Sequence, residues 1–521
     1  MEYNSLPNEI IAQICFYLCS HCQNPGVFPN SNTEEARTDK ATLARLCRTS
    51  KRLCSIAQPV LFHYYASGNL ARSVDTEFIG SLNYTWHSNI EYWNLEDDKL
   101  VVFVRTLITR PDLAACVESL QLQGSGVQDV CTPELMRVLG DAGTALGFKL
   151  PIGWRWGGWS DDWPDDIFDG DDWRNADTSG IINKNRLDFH TWIMVLTIAL
   201  TPRTETLMYM CQNPDELDLF KDTQTVLPAL TTLALRGAEG FDYYLFAISH
   251  FLTAIPNLQT LYALDCRGNA IASTILSLLD DEDGDSWTKD LVVGKVQKLV
   301  LDELPKAVFE SLMERCVELE DLVYYIHYWY DCPDITRAFS RTEKRLKKLC
   351  FGQLPQPVLI GYEGLLDDDD DYGNITTVTS LREFTQLEEL VIDQALLYGR
   401  SDSSTGTERL ETLLPPSIQK VNFTYVYKSM YADLMHLASA APRSFPKLRS
   451  VKIGLLSPIP PERAVEIEHM KAVESEFASV GVHISWEENF MGPFLYTAIP
   501  GGTPGLMVPC VPSAPLPFPS K

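Results

Sequence analysis

The sequence has no apolar run long enough to cross a bilayer, because the longest, Trp192 to Leu200, is about half the length of a membrane-spanning helix. The first residues, MEYNSLPNEI, show no positive leader before an apolar stretch and no small-residue cleavage site. The 13 cysteines follow no disulfide framework, and without export they should stay reduced. These absences predict a chain of the cytoplasm or nucleus, or both, with no membrane partner.

Positive charge is also scarce. The chain carries 43 Lys and Arg against 70 Asp and Glu, which gives a formal net charge of -27. Such an excess repels phosphate backbones, so the composition excludes nucleic acid as a broad partner and favours basic proteins. At 521 residues with 45% hydrophobic content, the chain is too long for one compact core. It has enough apolar residues for several domains or one elongated array.

Motifs of catalysis are missing as well. The sequence contains no HExxH, GxSxG, P-loop or GxGxxG pattern. Two of its nine histidines, His250 and His436, fall within apolar helical patterns, where a packing role is expected. We therefore predict that the protein is not an enzyme, with no catalytic residue and no cofactor.

One cysteine spacing needs separate treatment. Cys15, Cys19 and Cys22 form CxxxCxxC, a spacing typical of iron–sulfur clusters in radical enzymes, and with His21 they could hold zinc. However, two of the thiols fall on a predicted amphipathic helix, and no second ligand pair follows at zinc-finger spacing. The prediction is that no metal is bound. A metal or radical enzyme built on these cysteines is the enzyme alternative.

The first 66 residues carry a helical pattern in three short pieces. Pro7 suits the first turn of a helix, and Ile10, Ile11 and Ile14 follow at helical spacing. Residues 20–40 are polar and predict a long loop, after which the pattern returns. Three short helices bury little surface and should leave apolar side chains for a partner.

Three runs in this segment resemble an F-box: Leu6 to Ile10, Leu43 to Leu53, and Ala57 to Phe62. The resemblance implies docking onto the adaptor subunit of SCF-type ubiquitin ligases and, through it, onto cullin. The chain departs from the F-box pattern between Cys19 and Lys40, where the link between helices is unusually long. A plain helical cap on the rest of the chain is the alternative. The matching positions, and so the predicted adaptor-binding residues, are Leu6, Pro7, Ile10, Ile14, Leu46, Leu53, Pro59 and Leu61.

From residue 100 to 486 a figure of the form apolar-x-x-apolar-x-apolar recurs. Its alternation predicts a short strand with one buried face, and helical patterns between the figures predict a solenoid. The clearest helical patterns are Phe241–Ile255, Lys306–Val317, Met430–Ala441 and Arg463–Val480. The central positions of the figures are Leu120, Leu207, Leu233, Leu261, Leu299, Leu322, Leu349, Leu390, Val421 and Val451.

This body resembles the irregular leucine-rich repeats that accompany many F-boxes, especially in fungi, although the asparagine expected after each strand is missing. The predicted fold class is therefore α/β: a small all-α F-box (1–66), then a curved leucine-rich-repeat-like solenoid of short parallel strands and helices (100–486). Residues 67–99 are a predicted linker and 487–521 a Pro/Gly-rich, disordered tail. A helix-rich solenoid of another family is the alternative.

Three inserts interrupt the body. Residues 151–180 combine five tryptophans with many aspartates, and either form an exposed patch for a basic or aromatic ligand or fold back onto the scaffold. The acidic runs 280–285 and 367–371 are either solvated loops or part of a binding rim.

Together these features predict a substrate-recognition subunit of an SCF-type ubiquitin ligase, whose repeat domain binds an unidentified target protein. The alternative is a leucine-rich-repeat interaction scaffold that acts outside any ligase.

Overall fold

The structure is a computed structural model. It describes residues 6–24, 28, 34–66, 100–122, 133–148, 191–211, 216–237, 248–264, 291–302, 304, 306–326, 338–339, 343–353, 377–398, 409–426, 428–455 and 464–487. The predicted linker 67–99, the Trp/Asp-rich insert 151–180, the acidic loops 280–285 and 367–371, and the predicted tail after Glu487 lie outside these residues. No helix in the described ranges is both long and apolar enough to span a bilayer.

The amino-terminal segment contains four helices: α1 (Asn8–Tyr17), α2 (Ser20–Gln23), α3 (Glu34–Thr49) and α4 (Lys51–Leu61). Pro7 precedes α1, and its carbonyl accepts the N–H of Ile11 at 3.2 Å. The Ser50 hydroxyl caps α4 by accepting the N–H of Leu53 at 3.2 Å. The start of α1 agrees with the position that Pro7 indicates in the sequence.

The loop predicted over residues 20–40 is not one continuous loop. Helix α2 lies inside it, and α3 begins at Glu34. Hydrophobic periodicity missed this turn of α3, because its buried face carries only the small Ala36 while its other residues are polar. Glutamate at a helix start is nevertheless favourable, since the amino end of a helix carries partial positive charge.

A small core holds these helices together. Its buried members come from α1, α3, α4, the first strand and the residue before α2, and Leu46, Leu53 and Leu61 pack partly against it. The buried residues are Ile11, Cys15, Cys19, Leu43, Ala57, Val60 and Tyr64.

Twelve described strands, all parallel, follow one another in chain order within two compact units. The first unit takes in the described residues through 237 and His250–Asn257, and the second takes in Ile248, Ser249 and those from Leu258 to 487. The first unit contains β1 (Tyr64–Ala66), β2 (Ser119–Leu122), β3 (Thr206–Cys211) and β4 (Thr232–Gly237). The second contains β5 (Thr260–Leu264), β6 (Lys298–Asp302), β7 (Asp321–Ile326), β8 (Lys348–Gln353), β9 (Glu389–Asp393), β10 (Lys420–Val426), β11 (Ser450–Leu455) and β12 (His483–Glu487).

The strands align the repeated apolar positions into rows. In the first unit Leu120, Leu207 and Leu233 are register partners. In the second unit the row runs through eight strands and ends at Ile484. Each position predicted from the recurring figure thus lies in a strand. The second row is Leu261, Leu299, Leu322, Leu349, Leu390, Val421, Val451 and Ile484.

Helices follow most of the strands. Those of the first unit are α5 (Leu100–Thr109), α6 (Pro111–Ala114), α7 (Pro133–Ala145), α8 (residues 191–200) and α9 (Ser249–Thr253), the last with its first residue counted in the second unit. Those of the second are α10 (Lys306–Arg315), α11 (Gln394–Tyr398), α12 (Arg409–Leu413), α13 (Tyr431–Ser444) and α14 (Ala464–Ser479). Two short 3-10 segments, Glu216–Asp222 and Lys428–Met430, complete the described elements.

Three of the four predicted helices between strands are confirmed to within a few residues at each end, namely α10, α13 and α14. The fourth, Phe241–Ile255, is described only in part, and α9 occupies that part. The sequence missed β1 and β12, because β1 has three residues and β12 has no apolar figure of the recurring form. The observed α/β architecture of parallel strands and helices is consistent with a solenoid-like fold.

Candidate functional site

One side of α1 presents aliphatic side chains to solvent. Leu6, Pro7, Ile10 and Ile14, which we call the α1 face, are all exposed, with Ile10 at 41% and Ile14 at 46%. Ile10 and Ile14 are four residues apart and so lie on the same side of the helix. Ile11 and Cys15, one residue further on in each case, are buried in the helical core. Helix α1 is therefore apolar on two sides, and the described part of the chain covers one of them.

Contacts with α4 hold the start of α1 in place. The Arg52 guanidinium donates from Nε to Asn8 Oδ1 at 2.9 Å and from Nη2 to the carbonyl oxygen of Leu6. Because these bonds fix the backbone that carries Leu6 and Pro7, the α1 face has a defined orientation relative to α4.

The eight predicted adaptor-binding residues fall into two groups. Leu6, Pro7, Ile10 and Ile14 form the α1 face, whereas Leu46, Leu53, Pro59 and Leu61 are half-buried on α3 and α4. Three of the second group, the leucines, pack against the helical core and so also contribute to folding. Sequence spacing alone does not separate the two groups, because both sides of a short amphipathic helix carry aliphatic residues.

Sequence reasoning missed two exposed aromatic residues at the end of α1. Phe16 is 44% exposed and Tyr17 is 77% exposed. The ring of Phe16 stacks on that of His63 at a centroid separation of 6.0 Å. Tyr17 follows Ile14 by three residues, so it extends the α1 face by one helical turn. The three-residue spacing between Ile14 and Tyr17 was the feature of the sequence that could have placed Tyr17 on this face.

A second feature lies at the other end of the helical segment. Cys19, His21, Cys22 and His63, which we call the Cys/His cluster, each place a sulfur or ring nitrogen within 4.8 Å of the others. The Cys22 sulfur and His63 Nδ1 are 3.0 Å apart. Cys19 and His21 are buried, and the other two are half-buried. Cys15 is outside this group and lies in the helical core.

Local structure explains how the four residues meet. Cys19 is the residue directly before α2, and Cys22 follows one turn later on the same side. His63 comes directly after α4, and its carbonyl accepts the N–H groups of Glu118 and Ser119 at 2.8 and 3.0 Å. The Glu118 carboxylate in turn lies 3.5 Å from His21 Nδ1. The start of β2 thus holds His63 through its backbone and approaches His21 through a side chain.

The two thiols influence each other's protonation. The hydrogen bond from Cys22 lowers the pKa of Cys19, and the same hydrogen bond raises the pKa of Cys22. Nearby, burial lowers the pKa of Lys40 to about 8, and its ammonium donates to the carbonyl of Tyr64 at 3.2 Å. The two thiols are therefore unequal, and Cys19 is the more acidic of the pair.

The histidines that the sequence placed in apolar helices lie in α9 and α13. His250 is half-buried, and His436 has Nδ1 3.6 Å from Glu411 Oε2. Neither belongs to the Cys/His cluster.

Comparison with known proteins assigns no family. A scan against protein-family models finds no match to this chain, and a search of curated proteins finds no significant match. What the protein does must therefore follow from its own residues.

Proposed function

We propose that this protein is a two-partner recognition subunit, in which the helical segment docks on one protein and the repeat-like strands and helices hold another. More particularly, we propose a substrate-recognition subunit of an SCF-type ubiquitin ligase in the cytoplasm or nucleus. In this role the helical segment acts as an F-box, and the strands and helices that follow act as irregular leucine-rich repeats.

The exposed α1 face is the observation that supports this proposal. Fully burying one aliphatic side chain contributes roughly 1.5–3 kcal/mol, and Leu6, Ile10 and Ile14, at 37%, 41% and 46% exposed, would each gain a fraction of that on docking. Leu6, Ile10 and Ile14 together therefore offer enough hydrophobic area for the centre of a protein interface. With Pro7 they make up four of the eight positions that the F-box resemblance assigns to adaptor binding.

The surroundings of the α1 face also suit a protein interface. Asn8, Glu9 and Gln13 are exposed polar residues interspersed with it on α1. An apolar centre with a polar rim is the usual anatomy of a protein–protein contact. Because Arg52 fixes the start of α1, little conformational entropy would be lost on docking.

In this function the protein supplies no catalytic group of its own. It would bring lysines of the target near a conjugating enzyme that another subunit holds, and the rate would rise through effective concentration. The target protein would bind to the repeat-like part of the chain.

Adaptor co-purification tests the proposal. We expect Leu6→Asp combined with Pro7→Ala, and separately Ile10→Asp combined with Ile14→Asp, to abolish co-purification of the adaptor from cell extract. Each change places charge at the centre of an apolar contact. Val226→Asp is the matched control, because Val226 is 55% exposed but distant in sequence from the α1 face. Circular dichroism should show that each variant keeps its helical content.

Two results would count against the proposal. Full adaptor binding by the folded Ile10→Asp, Ile14→Asp variant would exclude the α1 face as the interface. A wild-type eluate without adaptor would favour an interaction scaffold that works outside a ligase.

A further inference from the structure

We propose that Cys19, His21, Cys22 and His63 bind a structural zinc ion. The proposal is independent of the α1 face, since zinc could occupy the Cys/His cluster whether or not an adaptor docks on α1.

The donor set matches zinc. Two thiolate sulfurs and two imidazole nitrogens form the Cys2His2 set common in structural zinc sites, and sulfur with nitrogen in a tetrahedron favours zinc over harder ions. Zinc bonds of about 2.3 Å to sulfur and about 2.0 Å to nitrogen imply about 3.3–3.8 Å between neighbouring ligand atoms. The Cys22–His63 contact is already shorter than this, and no pair in the cluster exceeds 4.8 Å. Small side-chain rotations would complete a tetrahedron.

His21 gives a second, independent indication. The residue is 7% exposed, and in the described part of the chain its Nδ1 makes no hydrogen bond. The Glu118 carboxylate lies 3.5 Å from that nitrogen, which is ion-pair distance. A buried polar atom without a hydrogen bond is costly. Zinc bound at Nε2 would leave Nδ1 protonated, so that Nδ1 could donate to the Glu118 carboxylate and gain the hydrogen bond it lacks.

Charge and the surrounding groups are also suitable. Two thiolates balance the charge of Zn2+, so binding it requires no further anion. A carboxylate beside a zinc-bound histidine orients the ring and raises its basicity, and Glu118 lies where it can act on His21. With four protein ligands the site has no open position, which indicates a structural role rather than catalysis.

The ion would join parts of the chain that are distant in sequence. Cys19 and Cys22 lie at α2, His63 lies at the end of α4, and Glu118 immediately precedes β2. The helical core is small, so a metal bond across these elements would add to its stability. Zinc would thus fix the carboxyl end of α1, which stops at Tyr17, against the first strands.

Metal analysis of the full-length protein tests the inference. Protein purified without chelators should contain about one zinc atom per chain by inductively coupled plasma mass spectrometry. Cys22→Ser and His63→Gln should each lose most of this zinc, whereas Glu118→Gln should weaken zinc binding by about tenfold. Cys54→Ser and His250→Gln are matched controls outside the cluster and should keep full zinc content.

Cobalt substitution gives a readout that does not depend on any variant folding. Wild-type protein stripped of zinc and loaded with Co2+ should show the visible absorption of tetrahedral cobalt with sulfur ligands, and zinc should displace it. Zinc well below one atom per chain together with no such cobalt spectrum would overturn the inference. A Cys19–Cys22 disulfide in freshly purified protein, or full zinc content in both ligand variants, would overturn it as well.

Discussion

The helical segment and the parallel strands use apolar residues in opposite ways. In the second unit, the leucines at the centres of β5 to β9 are at most 1% exposed. Those of β6 to β9 lie between paired strands on both sides. In α1, Ile10 and Ile14 are more than 40% exposed although they occur in an equally apolar sequence. Because the strands repeat, neighbouring strands of the same chain bury their apolar side chains. The helical segment has too few elements to bury all of its apolar side chains. We assign the exposed ones on α1 to a partner protein.

Polar residues show the same contrast. Lys298, Asp321, Lys348, Glu389 and Lys420 are register partners on successive strands and alternate in charge. Glu389 bonds Lys420 at 2.7 Å and Lys348 at 3.3 Å. The charged side chains of the strands thus pair with one another. The Cys/His cluster of the helical segment instead brings together four sulfur and nitrogen atoms that can bind a metal ion.

Truncating a leucine of the strand row should have the largest effect. Leu322 is 0% exposed, and Leu322→Ala should lower the free energy of unfolding by about 2–5 kcal/mol, since it leaves a cavity that neighbouring strands cannot fill. Ile14→Ala, the matched change on the α1 face, should cost less than about 0.5 kcal/mol. Urea denaturation measures both, and equal losses would remove the contrast between the two regions.

An added methyl group should be tolerated at one glycine and not at another. A Cβ at Gly143 in α7 would overlap the buried indole of Trp192, so Gly143→Ala should cost about 1–3 kcal/mol through overpacking. Gly481 has φ of +77° but open space around it, so Gly481→Ala should cost only about 1 kcal/mol of backbone strain. Thermal unfolding would show whether this order holds; a larger loss for Gly481→Ala would contradict it.

Asp433 in α13 should make stability depend on pH. Burial raises its pKa, and the Tyr398 hydroxyl donates to its Oδ2. A raised pKa means that the folded chain binds this proton more tightly than the unfolded chain. The contribution is therefore fully present below the ordinary aspartate pKa of about 3.9 and is lost as pH rises through the folded value.

Asp433→Asn tests the predicted direction of this pH dependence. The amide can still accept the Tyr398 hydrogen bond but carries no charge, so the urea midpoint at pH 7 should exceed that of the wild type. The difference should vanish near pH 3, where the wild-type carboxyl is neutral. Arg409 and His436 lower the pKa of Asp433 and limit the gain. A variant less stable than the wild type at pH 7 would show that the charge is stabilising.

Removing a charge from the row of paired Lys, Asp and Glu residues on the strands should have the smallest effect on stability. Glu389→Gln removes both ion pairs of a side chain that is 33% exposed, so it should cost about 0.2–1 kcal/mol. The loss should shrink further in high salt, because exposed charges are screened. Glu468→Gln, which breaks an exposed pair with Lys471 within α14, is the control and should cost no more.

Much of the strand architecture followed from local pattern. An alternating apolar figure is specific for a half-buried strand, so each predicted strand from β2 to β11 was found, and α10, α13 and α14 were found between strands. The pattern failed where apolar content was low, as in the first turn of α3, and where the element was short, as in β1. Whether those strands and helices are leucine-rich repeats, and whether the helical segment is an F-box, stay predictions.

The Cys/His cluster marks the limit of sequence reasoning. The sequence drew attention to Cys19, His21 and Cys22 but set zinc aside for want of further ligands at finger spacing. It also grouped these thiols with Cys15, which is buried in the helical core but is not among the four residues that converge. His63 is distant along the chain from Cys22 and carries no local signal.

Periodicity and composition by themselves determined the strand positions, the excess of negative charge and an amino-terminal helix with more apolar residues than it could bury. These properties are local, because they depend on which side chains recur within a few residues. Only the tertiary structure decided that Ile10 and Ile14 face solvent while Leu53 packs inward, and that His63 reaches Cys22. Such choices depend on how helices pack across long sequence separations, and no short-range pattern encodes that packing.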